Sequence, residues 1–413
     1  MASIAVLGYG TVGTGIAELI NKNKERFKKF TGEELKISNI LVRDLEKHKD
    51  EKDYDLLTDD INRIFEESVD IVVEVMGGIN PAYEYVKKSL KLKKHIVTAN
   101  KDLMAEHGKE LLDLADKNGV TLNFEASVGG GIPILKPLME CLVGNEIMSI
   151  NAILNGTTNF ILTKMHQENM SYEESLKLAQ ELGFAEANPD SDVLGYDAAR
   201  KLSILSTIAY NQKVNWRNIY TEGITNLDID DFKYAKAKGY IIKLLAISKK
   251  ENDKVYASVK PVLIKTNSEL GKIENELNAI VIEGDAVGKV VFSGKGAGML
   301  PTASSVFGDI TDIILNKKKK ALRFNEKEAV LEKAWNHNSS WLLRIKTSDR
   351  ISIMSNLTSC FKNCYIFANT SSSSEEVAAV VKAPNEDFIN SRLEELSSLT
   401  HVGKIKKFAI LNN

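Results

Sequence analysis

The N-terminal part of the chain alternates apolar runs with amphipathic segments. The apolar runs predict strands, and the segments whose apolar residues recur at helical spacing predict helices. Because these strands are apolar throughout, we expect a parallel sheet with helices on both faces. The predicted strands are Ile4–Leu7, Ile37–Val42, Val69–Met76, His95–Ala99 and Val120–Phe124, and the predicted helices are Thr14–Phe30 and Glu106–Lys117, the latter with Gly119 as its C-cap.

The middle of the chain has a different pattern. The glycine-rich segment Ser127–Pro133 opens a predicted helix that reaches Leu142. From Val255 to Phe292 short strands and turns alternate, which predicts an antiparallel sheet with helices and hence an α+β second domain. The predicted helices are Ile161–Gln167, Tyr172–Leu182 and Tyr196–Tyr210, and the predicted strands are Ile147–Leu154, Tyr256–Leu263, Ala279–Glu283 and Lys289–Ser293.

The last part of the chain predicts a small α+β unit. The run Lys317–Lys320 is interpreted as a solvated connector, and the run Ser371–Ser374 as a loop. Cys360 and Cys364 are expected to share one helix face and to pack in the core rather than to sense redox state. The predicted strands are Trp341–Lys346 and Ile405–Leu411, and the predicted helices are Ser352–Asn363 and Asn385–Leu399.

Composition limits the class of protein. The length of 413 residues allows two or three domains, and 43% hydrophobic with 27% charged residues is a globular composition. A net charge of −2 argues against a protein that coats nucleic acid or an anionic membrane. The three cysteines are too few for a disulfide scaffold, and we see no signal peptide or membrane span. We therefore expect a cytoplasmic protein with free thiols and a small-molecule task.

A glycine motif follows the first strand directly. Gly8, Gly10 and Gly13 form G-x-G-x-x-G between a predicted strand and a predicted helix, which is the context of a dinucleotide site in a Rossmann-type domain. These glycines allow a tight turn, a close approach of the pyrophosphate, and close packing of helix on strand. The amides of Thr11 and Val12 would then face phosphate. The alternative is a glycine turn without a ligand.

The residues at the end of the second strand indicate which nicotinamide cofactor would bind. An acid there contacts the ribose of NAD, whereas an arginine favours the phosphate of NADP. Arg43 is the first side chain past the strand, so NADP is favoured, while the adjacent Asp44 keeps NAD open. Alternatively, Arg43 is an exposed residue that pairs with Asp44.

Two regions offer groups for proton transfer. Thr98 to Lys101 follow a strand of the parallel sheet, where ligands bind beyond the carboxyl ends of the strands. Asp197 and Lys201 are four residues apart and share one helix face, after a stretch that contains Glu186 and Asp192. Carboxylates beside a lysine suit a site that binds an amine and moves a proton. A surface lysine and a solvated ion pair are the alternatives.

Six motifs in this order resemble homoserine dehydrogenase over residues 1–315. The resemblance implies reversible reduction of L-aspartate 4-semialdehyde to L-homoserine with NAD(P)H, on the route to threonine and methionine. It also implies a homodimer or higher homo-oligomer. The motifs are Gly8–Gly13, Val97–Lys101, Glu125–Pro133, Leu154–Asn159, Leu182–Glu186 with Asp197–Leu202, and Gly296–Ser304.

The resemblance also implies a role for each matching residue. Lys201 is implied as the main proton donor or acceptor, Lys101 as the second lysine, and Glu186 as the group that binds the substrate ammonium. Asp197 would contact substrate and orient the lysine, with Asp192 in support. Gly183 and Gly298 would lie in loops that close on substrate and cofactor. The segment with Glu125, Val128, Gly130 and Ile132 matches a monovalent-cation site for an ion such as Na⁺, made largely of backbone carbonyls.

The resemblance divides the chain into domains. Residues 1–126, with 296–315 packing back on them, form the predicted NAD(P)-binding domain, and 127–315 form the catalytic and dimerisation domain. A linker, 316–340, leads to 341–413, which resembles a divergent ACT module. That module reads Asp349 to Ser352 where ACT modules often carry Pro-Gly, so threonine regulation and a packing role both stay open. We expect a monofunctional dehydrogenase without a fused aspartate kinase.

Two rival functions remain. A non-enzymatic dinucleotide sensor would not need the acids and lysines from Glu186 to Lys201, and it would usually carry a basic DNA-binding helix, which the sequence lacks. A different NAD(P)-dependent amino-acid or aldehyde oxidoreductase also fits the carboxylates, because their spacing does not fix the length of the substrate.

Overall fold

The computed structural model describes residues 1–316, 327–332, 334, 339–367 and 375–411. The predicted connector and the predicted serine loop lie outside the described residues. In the described part of the chain, no helix is long and apolar enough to cross a membrane. The three-domain division stays a prediction. By its contacts the chain forms two compact units, the first made of Met1–Ile147, Arg200–Trp216 and Glu283–Ala329 and the second of Met148–Ala199, Arg217–Ile282 and Val330–Asn413.

A parallel sheet of six strands is the centre of the first unit. Every neighbouring pair runs parallel, which confirms the Rossmann-type fold that the uninterrupted apolar runs predicted. The carboxyl ends of these strands therefore meet at one edge. In sheet order the strands are Leu57–Thr58, Leu35–Leu41, Ala2–Leu7, Ile71–Glu74, His95–Thr98 and Leu122–Asn123.

The helices of this unit depart from the prediction at their ends. The helix predicted from Glu106 begins at Lys101, because Asn100 caps it by accepting a hydrogen bond from the Leu103 amide at 3.0 Å. Gly119 ends it in the left-handed conformation, as predicted. The helix predicted up to Leu142 is reduced to a π-helical turn, Pro137–Cys141. The other helices of this unit are Thr11–Thr31, Ala82–Lys91 and Met299–Leu315. Its short 3₁₀ turns are Glu46–His48, Tyr54–Leu56, Ile61–Phe65 and Glu125–Ser127. The strand Gly288–Lys295 also belongs to this unit.

The second unit is built on a sheet that is mixed rather than antiparallel throughout. Tyr240–Glu251 and Lys254–Lys265 pair antiparallel, but Val402–Leu411 joins Lys254–Lys265 in parallel. In sheet order its strands are Leu277–Gly284, Ile147–Ile153, Tyr240–Glu251, Lys254–Lys265, Val402–Leu411, Ser339–Thr347, Glu376–Ala383 and Cys364–Ile366, while Tyr220–Thr221 and Val330–Glu332 also pair with Lys254–Lys265.

Seven helices accompany this mixed sheet in the described residues, and Gly156–Glu168, Ile229–Ala237, Arg350–Cys360 and Glu386–Ser397 pack against its strands. One of them, Tyr196–Tyr210, runs from the second unit into the first at Arg200. The small unit predicted at the C-terminus has the order strand, helix, strand, strand, helix, strand, an arrangement of the ferredoxin-like type. The helices are Gly156–Glu168, Tyr172–Glu181, Asp190–Val193, Tyr196–Tyr210, Ile229–Ala237, Arg350–Cys360 and Glu386–Ser397, with a 3₁₀ turn at Trp216–Asn218.

The C-terminal residues share buried ion pairs with the rest of the second unit. The Lys260 ammonium lies 3.0 Å from the Glu386 carboxylate, and both side chains are less than a tenth exposed. Arg344 contacts the Glu376 carboxylate at 2.9 Å and pairs with Asp231. Removing one partner from such a pair leaves a buried charge without compensation, so these contacts fix the position of the C-terminal strands and helices.

The cysteines are partly as predicted. All three are free thiols, and Cys360 and Cys364 pack against the core of the C-terminal strands and helices. The prediction that they share a helix face is wrong, because the helix ends at Cys360 and Cys364 begins the strand Cys364–Ile366.

The helices Thr11–Thr31 and Met299–Leu315 cross at very close range. A Cβ on Gly15 would lie 2.9 Å from the Met299 carbonyl oxygen and 3.2 Å from the Ala303 Cβ. Both helices contribute to one apolar core with the parallel sheet, through residues such as Ile16 and Val306. The missing side chain at Gly15 therefore sets the distance between the two helices.

We expect Gly15→Ala to lower the thermal unfolding midpoint, although alanine is the better helix former, because the added methyl group meets backbone. The expected loss is about 1–3 kcal/mol of stability. Gly308→Ala on the facing helix is the matched control, since a Cβ there has no atom within 4 Å. That variant should be stabilised by up to ~1 kcal/mol. Equal midpoints for the two variants would contradict the close approach.

Candidate active site

The glycine loop has the geometry that a dinucleotide site requires. Gly8 has a φ of 108°, and a Cβ on Gly13 would lie only 2.1 Å from the Gly8 carbonyl oxygen. A Cβ on Gly10 would meet nothing within 4 Å, so this glycine leaves open space at the N-terminus of the helix Thr11–Thr31. The first turn of that helix carries no acidic residue. Its positive end is therefore suited to an anion such as a pyrophosphate.

A cleft of about 590 Å³ lies beside this loop, within the first unit. Gly8, Gly10, Arg43 and Asp44 are among the residues that line it. Arg43 is exposed, and Asp44 is directed to Lys47, whose ammonium lies 3.8 Å from its carboxylate. Arg43 therefore lines the cleft beside the glycine loop.

A buried carboxylate that sequence reasoning missed organises the carboxyl ends of the strands. Glu74 is fully buried at the end of its strand and accepts hydrogen bonds from Thr98 Oγ1 at 2.6 Å and from the Met76 amide at 2.9 Å. Asn100 Nδ2 donates to the Gly78 carbonyl at 2.6 Å. Burial raises the pKa of Glu74, and its hydrogen-bond donors oppose that shift. A single acid within an apolar strand was the signal in the sequence.

Lys101 comes directly after this network. It is the first residue of the helix that Asn100 caps, so it lies at the edge where the strand ends meet. The helix starts earlier than expected, at Lys101 itself. The hydrogen bonds of Glu74 and Asn100 together hold the main chain just before Lys101.

A second network brings together two of the predicted acids. Asn155 Nδ2 donates to Asp192 Oδ1 at 2.7 Å and to Asp197 Oδ2 at 2.9 Å. Its Oδ1 accepts from the Thr158 amide at 2.8 Å and thereby caps the helix Gly156–Glu168. Asn155 was not predicted as a site residue. An asparagine before Gly-Thr-Thr is a recognisable helix cap, but its contacts with the acids are not local.

The remaining predicted residues are placed as follows. Asp197 and Lys201 occupy one helix, Tyr196–Tyr210, one turn apart. Glu186 is exposed in the stretch before it, and the Asn155 network does not include its carboxylate. Gly183 has a φ of 75°, and Gly298 has a φ of 119° at the start of the helix Met299–Leu315. These glycines therefore shape turns, as the prediction of loops requires.

In the segment predicted to bind a cation, the carboxylate of Glu125 is already engaged in hydrogen bonds. Both oxygens of Glu125 accept hydrogen bonds from main-chain amides, among them Leu135 at 2.8 Å and Lys136 at 2.7 Å. Ser305 Oγ donates to the Gly130 carbonyl at 2.6 Å. Elsewhere among the described residues, no group of three or more His, Cys, Asp or Glu side chains could hold a metal. Any ion here would have to use backbone carbonyls, which suit a hard cation.

Comparison with known proteins shows to which family the chain belongs. The family model described as homoserine dehydrogenase, NAD binding domain, matches residues 8–125, and the homoserine dehydrogenase model matches residues 133–311. The chain belongs to the homoserine dehydrogenase family. It is 40% identical to homoserine dehydrogenase of Bacillus subtilis over 87% of this chain and 84% of the relative. It is 37% identical to that of Helicobacter pylori over 100% and 99%.

Solved structures agree with the family. A homoserine dehydrogenase from Thiobacillus denitrificans superposes with a TM-score of 0.92 at 33% identity, covering 100% of this chain and 98% of that one. A hyperthermophilic archaeal homoserine dehydrogenase in complex with NADPH has a TM-score of 0.66 at 31% identity, covering 78% and 99%. The enzyme is thus an NAD(P)-dependent oxidoreductase of amino-acid biosynthesis that converts L-aspartate 4-semialdehyde to L-homoserine.

The glycine loop can be tested with two matched substitutions. Gly13→Ala should lower both the unfolding midpoint and NADPH binding, because its Cβ collides with the Gly8 carbonyl. Gly10→Ala should keep the midpoint but raise the Kd for NADPH by about tenfold or more, equivalent to ~1.4 kcal/mol. The reason is that its methyl group enters the space that the pyrophosphate approaches. Wild-type NADPH affinity in folded Gly10→Ala, measured by fluorescence titration, would contradict this assignment.

Proposed function

We propose that Lys201 gives a proton to the carbonyl oxygen of aspartate semialdehyde during reduction and takes it back in the reverse direction. When bound, the nicotinamide supplies the hydride. The observation that supports this role is that Asn155 donates hydrogen bonds to both Asp192 and Asp197, and Asp197 lies one helical turn before Lys201. An ordered carboxylate one turn away can orient the lysine side chain.

The other proposed roles follow from charge. The Glu186 carboxylate neutralises the substrate ammonium, and its position in an exposed stretch leaves it accessible to a small molecule. Lys101 stabilises the negative charge that develops on the substrate oxygen. Its place in the first turn of a helix adds the positive end of the helix dipole to its own charge.

Replacing Lys201 tests the central role. Lys201→Ala should reduce kcat by about 10²–10⁴-fold, the range that general acid catalysis contributes, with the Kd for NADPH nearly unchanged. Lys109→Ala is the control, because that lysine lies on a helix of the first unit and pairs with Asp113 at 2.6 Å. Initial rates with aspartate semialdehyde decide the matter. A Lys201→Ala enzyme that keeps more than a tenth of wild-type kcat would refute the role.

We also propose that NADP is preferred over NAD. The support is the exposed Arg43 at the cleft, with the neighbouring Asp44 directed to Lys47 rather than projecting alone. A guanidinium there suits the 2′-phosphate of NADP, which NAD lacks.

The preference can be measured by removing the guanidinium. Arg43→Ser should raise KM for NADPH by about tenfold and leave KM for NADH within twofold, because only NADPH carries the additional phosphate. Lys49→Ser is a control at an exposed cation in the following turn. Equal changes in both KM values would show that Arg43 does not bind the 2′-phosphate of NADPH.

Further proposals rest on the family resemblance. Residues 125–132 bind a monovalent cation such as Na⁺ through backbone carbonyls, since the carboxylate of Glu125 is already engaged by amides. The C-terminal strands and helices are a divergent ACT module, and their buried ion pairs favour a packing role over a tethered sensor. The enzyme acts as a homodimer or higher homo-oligomer in the cytoplasm, a reducing compartment in keeping with its free thiols.

A further inference from the structure

The sequence neighbours of the two proposed catalytic lysines form an ion pair. Asp102 follows Lys101, and Arg200 precedes Lys201. Arg200 Nε lies 3.1 Å from Asp102 Oδ1, and all four residues belong to the first compact unit. Two helices that are distant in sequence, Lys101–Asn118 and Tyr196–Tyr210, are therefore joined beside the lysines they carry.

A tryptophan closes this contact into a ring of four residues. The Arg200 guanidinium carbon lies 4.4 Å from the centroid of the Trp216 ring. Trp216 Nε1 donates a hydrogen bond to Glu106 Oε1 at 2.7 Å. Asp102 and Glu106 are four residues apart on one helix, so they face the same side one turn apart. The two acids thus hold an arginine that lies over a tryptophan ring.

Each link in this ring has a defined direction. An Nε–carboxylate contact requires the guanidinium to point at the acid, and the cation–π contact keeps the same group over the face of the indole. The indole in turn is fixed by its single N–H donor. Such a closed set restricts both the separation of the two helices and the rotation of one about the other.

We infer that Asp102, Glu106, Arg200 and Trp216 are positioning residues that hold Lys101 and Lys201 at the separation the reaction needs. None of the four is assigned a contact with substrate or cofactor. The inference rests on the proposed roles of the two lysines. Its physical basis is that a displacement of about 1 Å at a reacting group can reduce a rate by ~10²-fold.

The ring is a poor candidate for a purely stabilising feature. The Arg200 and Asp102 side chains are 22% and 30% exposed, and ion pairs of that exposure usually contribute little to folding. If the ring positions the lysines, its loss will lower kcat far more than it lowers stability. If it only stabilises the fold, activity will follow the unfolding midpoint.

The test compares two acid-to-alanine changes on the same helix. Asp102→Ala should lower kcat by about tenfold or more, with the Kd for NADPH and the unfolding midpoint close to wild type. Asp113→Ala removes an ion pair with Lys109 further along that helix and should leave kcat unchanged. Asp102→Asn keeps an oxygen that can accept from Arg200 Nε, so it should recover most of the activity with an unaltered pH–rate profile.

Further variants separate positioning from other causes. Trp216→Phe keeps an aromatic ring under Arg200 but lacks the N–H donor, and the double variant Asp102→Ala with Trp216→Phe should lose little more activity than Asp102→Ala alone. Three results would overturn the inference: an Asp102→Ala kcat within twofold of wild type, a loss of kcat that follows the midpoint, or a shifted pH–rate profile without rescue by asparagine. Full activity of Lys201→Ala would instead refute the proposed roles of the lysines.

Discussion

The buried carboxylate of Glu74 is the interaction on which the cofactor side of this enzyme depends. It lies at the end of a central strand, where it connects Thr98 on the next strand to the main chain at Met76. A buried ionisable group is tolerated only if its hydrogen bonds are made, so the two strand ends cannot separate without exposing it. The helix that starts at Lys101 follows one of these strand ends, and the glycine loop follows the neighbouring strand Ala2–Leu7, whose last carbonyl accepts from the Val75 amide at 3.0 Å. Glu74 therefore holds together the strand ends that border the glycine loop and Lys101.

Buried ion pairs also connect the C-terminal residues to the rest of the second unit. Lys260 and Glu386, and Arg344 with Asp231, join segments more than a hundred residues apart in sequence. The strand Val402–Leu411 extends the same sheet by pairing with Lys254–Lys265. A module attached only by a linker would not need such pairs, since their desolvation is compensated only by good geometry. The arrangement favours a shared framework for residues 148–199, 217–282 and 330–413.

Local pattern predicted the parallel sheet, the glycine turn and the helix stop at Gly119, because each of these depends on a few adjacent residues. It left Tyr240–Glu251 unassigned, since a strand buried on both faces has no alternation and includes the fully buried Lys243. Asn155 and Glu74 were missed for a related reason. Their partners lie some twenty to forty residues away, so only the fold reveals what they hold. The candidate lysines and acids were recognised through motifs, whereas Glu74 and Asn155 were not.

Lys101 lies at a position that local helix preference disfavours. A cation in the first turn of a helix opposes the helix dipole, at a cost of about 0.3–1 kcal/mol. Asp102, the next residue, offsets part of that cost and also pairs with Arg200. The role proposed for Lys101 would account for this position, because the ammonium and the N-terminal amides of the helix would then act on the same negative charge of the substrate oxygen.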